Sequence, residues 1–259
     1  MMNTKFTDSK VIKFENAELD RRVGGIPFPS LTLIEGPNDS GKSVLSQQIC
    51  YGALKSGYRV MYITTESTAK GLLSHMLDLG WDVTYHFMYG DFIIKTLHVK
   101  GIKWNSEISR YFLTVLLNFI KRRLNKFDVL IIDSLTYLVT HATPNDVLEF
   151  FSECRNVVDS NNKLIIVTIH PYAFDQDLLI RVRSICDGHF LLSVKTFRNR
   201  NVLVLTVAKL KGALQTSGDI ISFEVDPAFG IKVLPFTAAR AEGVYHASFT
   251  RIICSSKRL

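Results

Sequence analysis

The stretch LTLIEGPNDSGKSVLSQQI, Leu31–Ile49, limits what this chain can become more than any other. Its centre, Gly36–Ser43, fits the pattern G-x-x-x-x-G-K-[ST]. The glycines let the backbone wrap closely around phosphate oxygens, so that successive N–H groups point inward. A following helix adds its positive N-terminus. Lys42 would neutralise the β- and γ-phosphates, and the Ser43 hydroxyl is placed to ligate Mg²⁺. The flanks agree: an apolar strand, Leu31–Glu35, precedes the loop, and a helix over Lys42–Ser56 follows it. Gly36, Pro37, Asn38, Asp39, Ser40, Gly41, Lys42, Ser43 and Val44 are therefore the nucleotide-binding candidates.

A second signal lies downstream. FDVLIIDS, Phe127–Ser134, is an apolar strand ending in Asp133. A carboxylate there can hold Mg²⁺ or its water from the far side of the phosphates. The two motifs together point to a bound nucleotide. YITTES, Tyr62–Ser67, ends the strand after the first helix, and in a parallel sheet that end faces the same crevice. Glu66 is either a carboxylate that orients and deprotonates an attacking water or a helix-entry acid favoured by the dipole. His170 follows IIVTI at another strand end. It either senses the γ-phosphate or is a loop histidine without that role.

The spacing of apolar residues predicts alternating strands and helices. Strands are expected at Arg59–Thr64, Asp128–Asp133 and Lys163–Ile169. The segment Tyr85–Gly101 reads as strand-like with a turn near Gly90. Helices are expected at Thr68–Leu79, with Leu72, Leu73, Met76 and Leu77 on one face, and near Asp175–Ser184. Another carries Ile108, Tyr111, Phe112, Val115, Phe119 and Ile120 at three- and four-residue spacing. One more is capped by Thr143 with Pro144 at its first position. The last third reads as strands: Phe190–Lys195, Val202–Lys209, Ile220–Val225 and Ile231–Leu234. The expected fold is α/β of the RecA-like P-loop kind: a central, mostly parallel sheet flanked by helices, with antiparallel strands added at one edge in the C-terminal third.

The chain has 259 residues, 47% of them hydrophobic, which suits one large domain over 1–259. Its core is expected at about 10–235, and the tail 240–259 has weak periodicity. The longest apolar stretch, Tyr111–Ile120, is about half of a membrane span. The N-terminus MMNTKFTDSKVIKF has no apolar run. Neither a span nor a signal peptide is expected, and the protein is expected to be soluble and intracellular. Cys50, Cys154, Cys186 and Cys254 form no CxxC pair and read as reduced thiols. The net charge is +7, much of it at Lys121–Lys126, Arg181–Arg183, Lys195–Arg200 and Ser255–Leu259. These runs are either solvated surface or contacts for nucleic acid, anionic lipid or an acidic partner.

The motifs resemble the KaiC-like branch of the RecA family. LDRRVGGIP, Leu19–Pro27, matches the branch's entry to the phosphate loop, and the segment from Thr32 to Ser67 follows it in register. AKLKGALQTSGDIISFEV, Ala208–Val225, resembles the run from a trans-acting basic pair through a short hairpin. The likeness spans about Lys10 to Pro235. Within the branch, TTES and LGWD (Leu79–Asp82) are most similar to the FlaH (ArlH) family of accessory proteins of the archaeal motility motor. That resemblance implies ATP and Mg²⁺ as ligands, weak or absent hydrolysis, and a ring of identical subunits, a hexamer being the expected size. It implies docking on the motor's secretion-type ATPase and on a membrane-anchored scaffold protein of the archaellum, in the cytoplasm at the membrane periphery. It also implies that Lys209 and Lys211 reach a neighbour's nucleotide. KaiC-like proteins often carry two adjacent glutamates after the second strand; here Ser67 stands in the second place.

Two other readings remain open on the residues. One is an active RecA-type ATPase working on DNA, which the basic charge permits, although no helix-hairpin-helix segment is evident. The other is a phospho-signalling relative, to which the single-domain length is poorly suited.

Overall fold

The computed structural model describes residues 10–99, 101–197, 200–212 and 219–235. The expected reading of the tail 240–259, Cys254 and the Ser255–Leu259 basic run lie outside them. The chain enters through β1 (Val11–Ile12), α1 (Ala17–Val23) and β2 (Ile26–Pro27), with β1 and β2 paired antiparallel. Next come β3 (Ser30–Glu35), α2 (Lys42–Lys55), β4 (Val60–Thr64), α3 (Ala69–Asp78), α4 (Thr84–Tyr89) and β5 (Phe92–Thr96). The middle of the chain forms α5 (Ser106–Lys121), β6 (Val129–Asp133), α6 (Thr136–Val139), α7 (Pro144–Asn161) and β7 (Leu164–Ile169). The last part forms α8 (Gln176–Ile185), β8 (Gly188–Phe197), β9 (Arg200–Leu210), β10 (Ile220–Asp226) and β11 (Gly230–Val233).

Nine of these strands form one sheet in the order β11-β10-β9-β8-β3-β7-β6-β4-β5. From β8 through β5 every neighbouring pair is parallel. The pairs β8–β9, β9–β10 and β10–β11 are antiparallel and extend one edge. This is the predicted fold class, including the antiparallel addition in the C-terminal third.

Period-two alternation splits the central strands between two cores. Leu31 and Leu33, Met61 and Ile63, Leu130 and Ile132, and Ile165 and Val167 face α5, α7 and α8. Ile34, Val60 and Tyr62, Val129 and Ile131, and Leu164 and Ile166 face α2 and α3. Both faces are covered, so these strands read as continuous apolar runs. The N-terminal segment lies close over α2. A Cβ on Gly52 would fall 1.9 Å from the Lys13 carbonyl oxygen, so only glycine allows that approach. Gln48 Nε2 donates to the Phe14 carbonyl beside it at 2.6 Å.

Thr143 caps α7 as expected: its hydroxyl accepts from the Asp146 N–H, and the Asp146 carboxylate accepts from the Thr143 N–H, with Pro144 in the first turn. Three expectations need correction. Residues 84–89 form the helix α4 rather than strand, and only Phe92–Thr96 of that segment pairs in the sheet. The aromatic-rich run TYHFMY carries strong strand propensity, but α4 buries none of its residues and makes no ladder. The inward side of α5 is Ser109, Leu113, Leu116 and Ile120, while Tyr111 is 65% and Val115 44% exposed. In α3, Leu72 and Met76 are buried but Leu77 is 55% exposed. The helix α1 was not foreseen; Asn16 caps it, its side chain accepting from the Leu19 N–H. No described helix is long and apolar enough to cross a membrane.

Candidate functional site

The phosphate-loop motif leaves β3 between β7 and β8, in the interior of the sheet. Its curl comes from two left-handed residues, Asp39 at φ 56° and Gly41 at φ 89°. Gly36 must be bare because a Cβ there would lie 2.5 Å from Ser40 Oγ and 2.9 Å from Leu192 Cβ. Ser40 Oγ donates to the Pro37 carbonyl at 2.8 Å, and the Lys42 ammonium donates to the same oxygen at 2.7 Å. Pro37, Asn38 and Asp39 are exposed, while Lys42 is buried. Ser43 and Val44 begin the first turn of α2 and are half-buried. Burial lowers the Lys42 ammonium's pKa, while the negative charges of Glu66, Asp133 and Asp39 oppose that shift.

Asp133 ends β6 on the same side and is 3% exposed. Tyr62 Oη donates to its Oδ2 at 2.7 Å, and Thr168 Oγ1 donates to its Oδ1 at 2.7 Å. Tyr62 Oη also bonds Ser46 Oγ at 2.7 Å, which ties the carboxylate to α2. Each oxygen keeps a second lone pair for another ligand. A hydroxyl and a carboxylate at Ser43 and Asp133 are hard oxygen donors, which fits Mg²⁺ rather than a soft metal.

Glu66 stands at the exposed rim beyond β4. Thr64 Oγ1 accepts from the N–H groups of Glu66 and Ser67 and fixes the turn that presents it. Ser134 Oγ donates to Glu66 Oε1 at 2.9 Å. The adjoining Asp133–Ser134 peptide is cis. Thr65 brackets Ser134: its hydroxyl donates to the Ser134 carbonyl and accepts from the Ser134 N–H. Desolvation, and then the negative charge of Asp133, push the Glu66 carboxyl above its ordinary pKa; the Ser134 bond and Lys42 oppose them. Ser67, next to Glu66, lies with its hydroxyl 3.4 Å from that of Thr64.

His170 sits just beyond β7 and is 8% exposed. Its N–H donates to Thr136 Oγ1 at 3.1 Å, and its Nδ1 bonds that hydroxyl at 2.9 Å. Burial, and then the positive charge of Lys42, lower its pKa to about 4. The histidine therefore lies within electrostatic reach of the phosphate-loop lysine.

Lys209 and Lys211 are not part of this cluster. Lys209 on β9 pairs with His189, and the Lys211 N–H donates to the Asp187 carbonyl, whose own N–H donates to Leu31 at the start of β3. Lys211 is thus level with Leu31, about 13 Å along the strand from Glu35 where the loop begins. The Lys209 ammonium donates to the carbonyls of Arg183 and Cys186 at the end of α8. The Lys211 side chain is 60% exposed, 3.8 Å from Asp187.

Sequence reasoning missed Tyr62, Thr168 and Ser134, which hold the two carboxylates. It also missed Glu35, whose buried carboxylate takes two nitrogens of Arg183 and His189 Nε2 just before Gly36. Their only sequence signal is polarity inside otherwise apolar strands.

A family model for KaiC-type ATPases matches residues 13–238. The chain is 39% identical over 231 residues to the archaeal flagellar ATP-binding protein FlaH of Sulfolobus acidocaldarius, covering 89% of this chain and all of that one. It is 27% identical to the protein of the same name from Methanocaldococcus jannaschii over 86% of this chain and 94% of the relative. The crystal structure of the flagellar accessory protein FlaH from M. jannaschii superimposes with a TM-score of 0.75 at 26% identity, covering 88% of this chain and 99% of that one. A KaiC-like protein from Pyrococcus horikoshii shares the fold at a TM-score of 0.68 and 19% identity, covering 88% of this chain and all of that one.

Two measurements check the site. Tyr62→Phe removes a donor from buried Asp133 and is expected to lower unfolding stability by about 1–3 kcal/mol and to weaken Mg²⁺–ATP binding. Denaturant titration and calorimetry read the two effects. In the nucleotide-free protein the His170 ring is expected to stay neutral by NMR until the pH nears 4. Its folded pKa lies below the unfolded value of about 6.5, so its contribution to stability is complete above that pH. That contribution is lost as the pH falls from there toward 4.

Proposed function

The chain belongs to the FlaH family of archaeal flagellar ATP-binding proteins, within the KaiC type of ATPase, and on that premise we propose that it is an ATP-holding switch of the archaeal motility motor. ATP would lie on the loop Gly36–Val44, with Lys42 against its phosphates. Ser43 and Asp133 would hold Mg²⁺, which supplies charge neutralisation between the phosphate oxygens.

The observation that carries the holding role is the state of the water-activating position. A single carboxylate, Glu66, stands there, bonded to Ser134, and the neighbouring position is a serine hydroxyl. One tethered carboxylate suits slow turnover. The nucleotide then acts through the difference in its affinity for two assembly forms.

The same reading makes the working form a ring of identical subunits, a hexamer by family likeness. It docks on the motor's secretion-type ATPase and on the membrane-anchored scaffold protein, in the cytoplasm at the periphery of the membrane. The position of Lys209 and Lys211 supports a ring. Lys211 is too far along the sheet to serve its own phosphate loop, and the Lys209 ammonium is turned to the carbonyls at the end of α8, so a nucleotide that either neutralises would be a neighbour's.

Sedimentation of the full chain with and without Mg²⁺–ATP tests this. Wild type is expected to shift to a larger species with ATP, and Lys42→Ala to lose the shift. Lys209→Ala with Lys211→Ala is expected to raise the ATP concentration needed by about tenfold, the loss of one charge-assisted contact. An ATP-independent mass, or unchanged behaviour of the double variant, contradicts the switch or the trans contact respectively.

A further inference from the structure

The sheet end opposite the nucleotide carries a basic groove that the proposed function does not use. It lies where α5 runs into the short turn Leu124–Lys126, just before β6, whereas Asp133 is at the far end of that strand. The groove measures about 610 Å³ and is lined by Asn118, Phe119, Arg122, Arg123, Asn125 and Lys126. No carboxylate is among its lining residues. Arg122 and Lys126 have no acidic partner among the described residues. The Arg123 guanidinium carbon lies over the Phe119 ring, 4.7 Å from its centroid, and its N–H groups have no acidic partner among the described residues.

Cations in the last turn of a helix complement its dipole, and that alone would explain Lys121–Arg123. It does not explain the apolar ridge that leads into them. Tyr111 and Val115 lie four residues apart on the outer side of α5, 65% and 44% exposed, and Phe119 one turn further on is half-buried against the core. Asp146 and Glu153 on α7 are held by Arg110 and Lys121, and the exposed carboxylate of Glu107 stands one turn before Tyr111, at the end of α5 away from the groove. An outward helix face that carries two exposed apolar side chains and leads into a basic end has the makeup of a surface that lies on an anionic bilayer. With Lys121 held by Glu153, three cations of the run, Arg122, Arg123 and Lys126, are left to attract acidic headgroups.

We propose that this ridge and groove bind an anionic phospholipid surface, with phosphate headgroups at Arg122, Arg123 and Lys126 and with Tyr111 and Val115 pressed into the interface. The nucleotide site, at the opposite sheet end, stays open to solvent in that orientation.

Co-sedimentation of the full chain with vesicles tests the proposal, comparing phosphatidylglycerol-containing vesicles with pure phosphatidylcholine vesicles at about 0.1 M salt, where electrostatic range is about 10 Å. Binding is expected with the former only. R122E/R123E/K126E is expected to lower vesicle affinity at least tenfold with ATP affinity unchanged, and Y111S/V115S to lower it severalfold. Three results overturn the proposal: no binding to anionic vesicles, equal binding by both variants, or tighter charge-dependent binding of single-stranded DNA or polyglutamate than of vesicles. Binding carried by basic residues outside the groove would appear as equal binding by the variants.

Discussion

A carboxylate buried at the end of a central strand must be met by hydrogen-bond donors and a compensating charge, because burying it without them is costly. Asp133 satisfies that demand with hydroxyls from β4 and β7 and with the field of Lys42. Those partners are in place only if β7, β6 and β4 are adjacent, parallel and in register. Lys42 is in place only if β3 joins the same array and its loop turns at Asp39 and Gly41. The arrangement of the sheet and the electrostatics of the site are therefore one requirement. Tyr62 extends it to α2 through Ser46, so the helix that begins at the phosphate loop is bonded to the carboxylate facing that loop.

The negative groups near Lys42 are Asp39, Glu66 and Asp133, so one buried ammonium faces three carboxylates. On the proposed reading Mg²⁺ and phosphate groups enter this field together and balance it. The two carboxylates differ: Asp133 has one donor on each oxygen inside, whereas Glu66 at the rim has its charge disfavoured by desolvation and then by Asp133. Beyond the loop, Glu35 with Arg183 and His189 forms a second buried charge cluster. Arg183 belongs to α8, whose terminal carbonyls receive Lys209. The residues immediately before the phosphate loop are thus joined through α8 to Lys209, one of the two lysines proposed to meet a neighbouring subunit.

What could be read in the sequence was local. The loop pattern, the apolar strands, the Thr143 cap and the antiparallel last third depend on neighbouring residues, and each is where it was expected. The supports of Asp133 are 71 and 35 residues away, and no spacing rule joins them. The α4 segment misled because four of its six residues, Thr84, Tyr85, Phe87 and Tyr89, are strand-prone and the run shows no decisive period. α5 misled for a different reason. It has apolar residues on two sides, Leu113 and Leu116 inward and Tyr111 and Val115 outward, and periodicity cannot say which side the sheet covers.

The central claim is that the site holds ATP rather than spending it, and the fate of the bound nucleotide tests that most directly. The purified chain is left with Mg²⁺ and ATP for hours at its working temperature, and the nucleotide it retains is then released and identified. The account predicts ATP, with little free phosphate. ADP with steady phosphate release would contradict it and would make Glu66 a catalytic base.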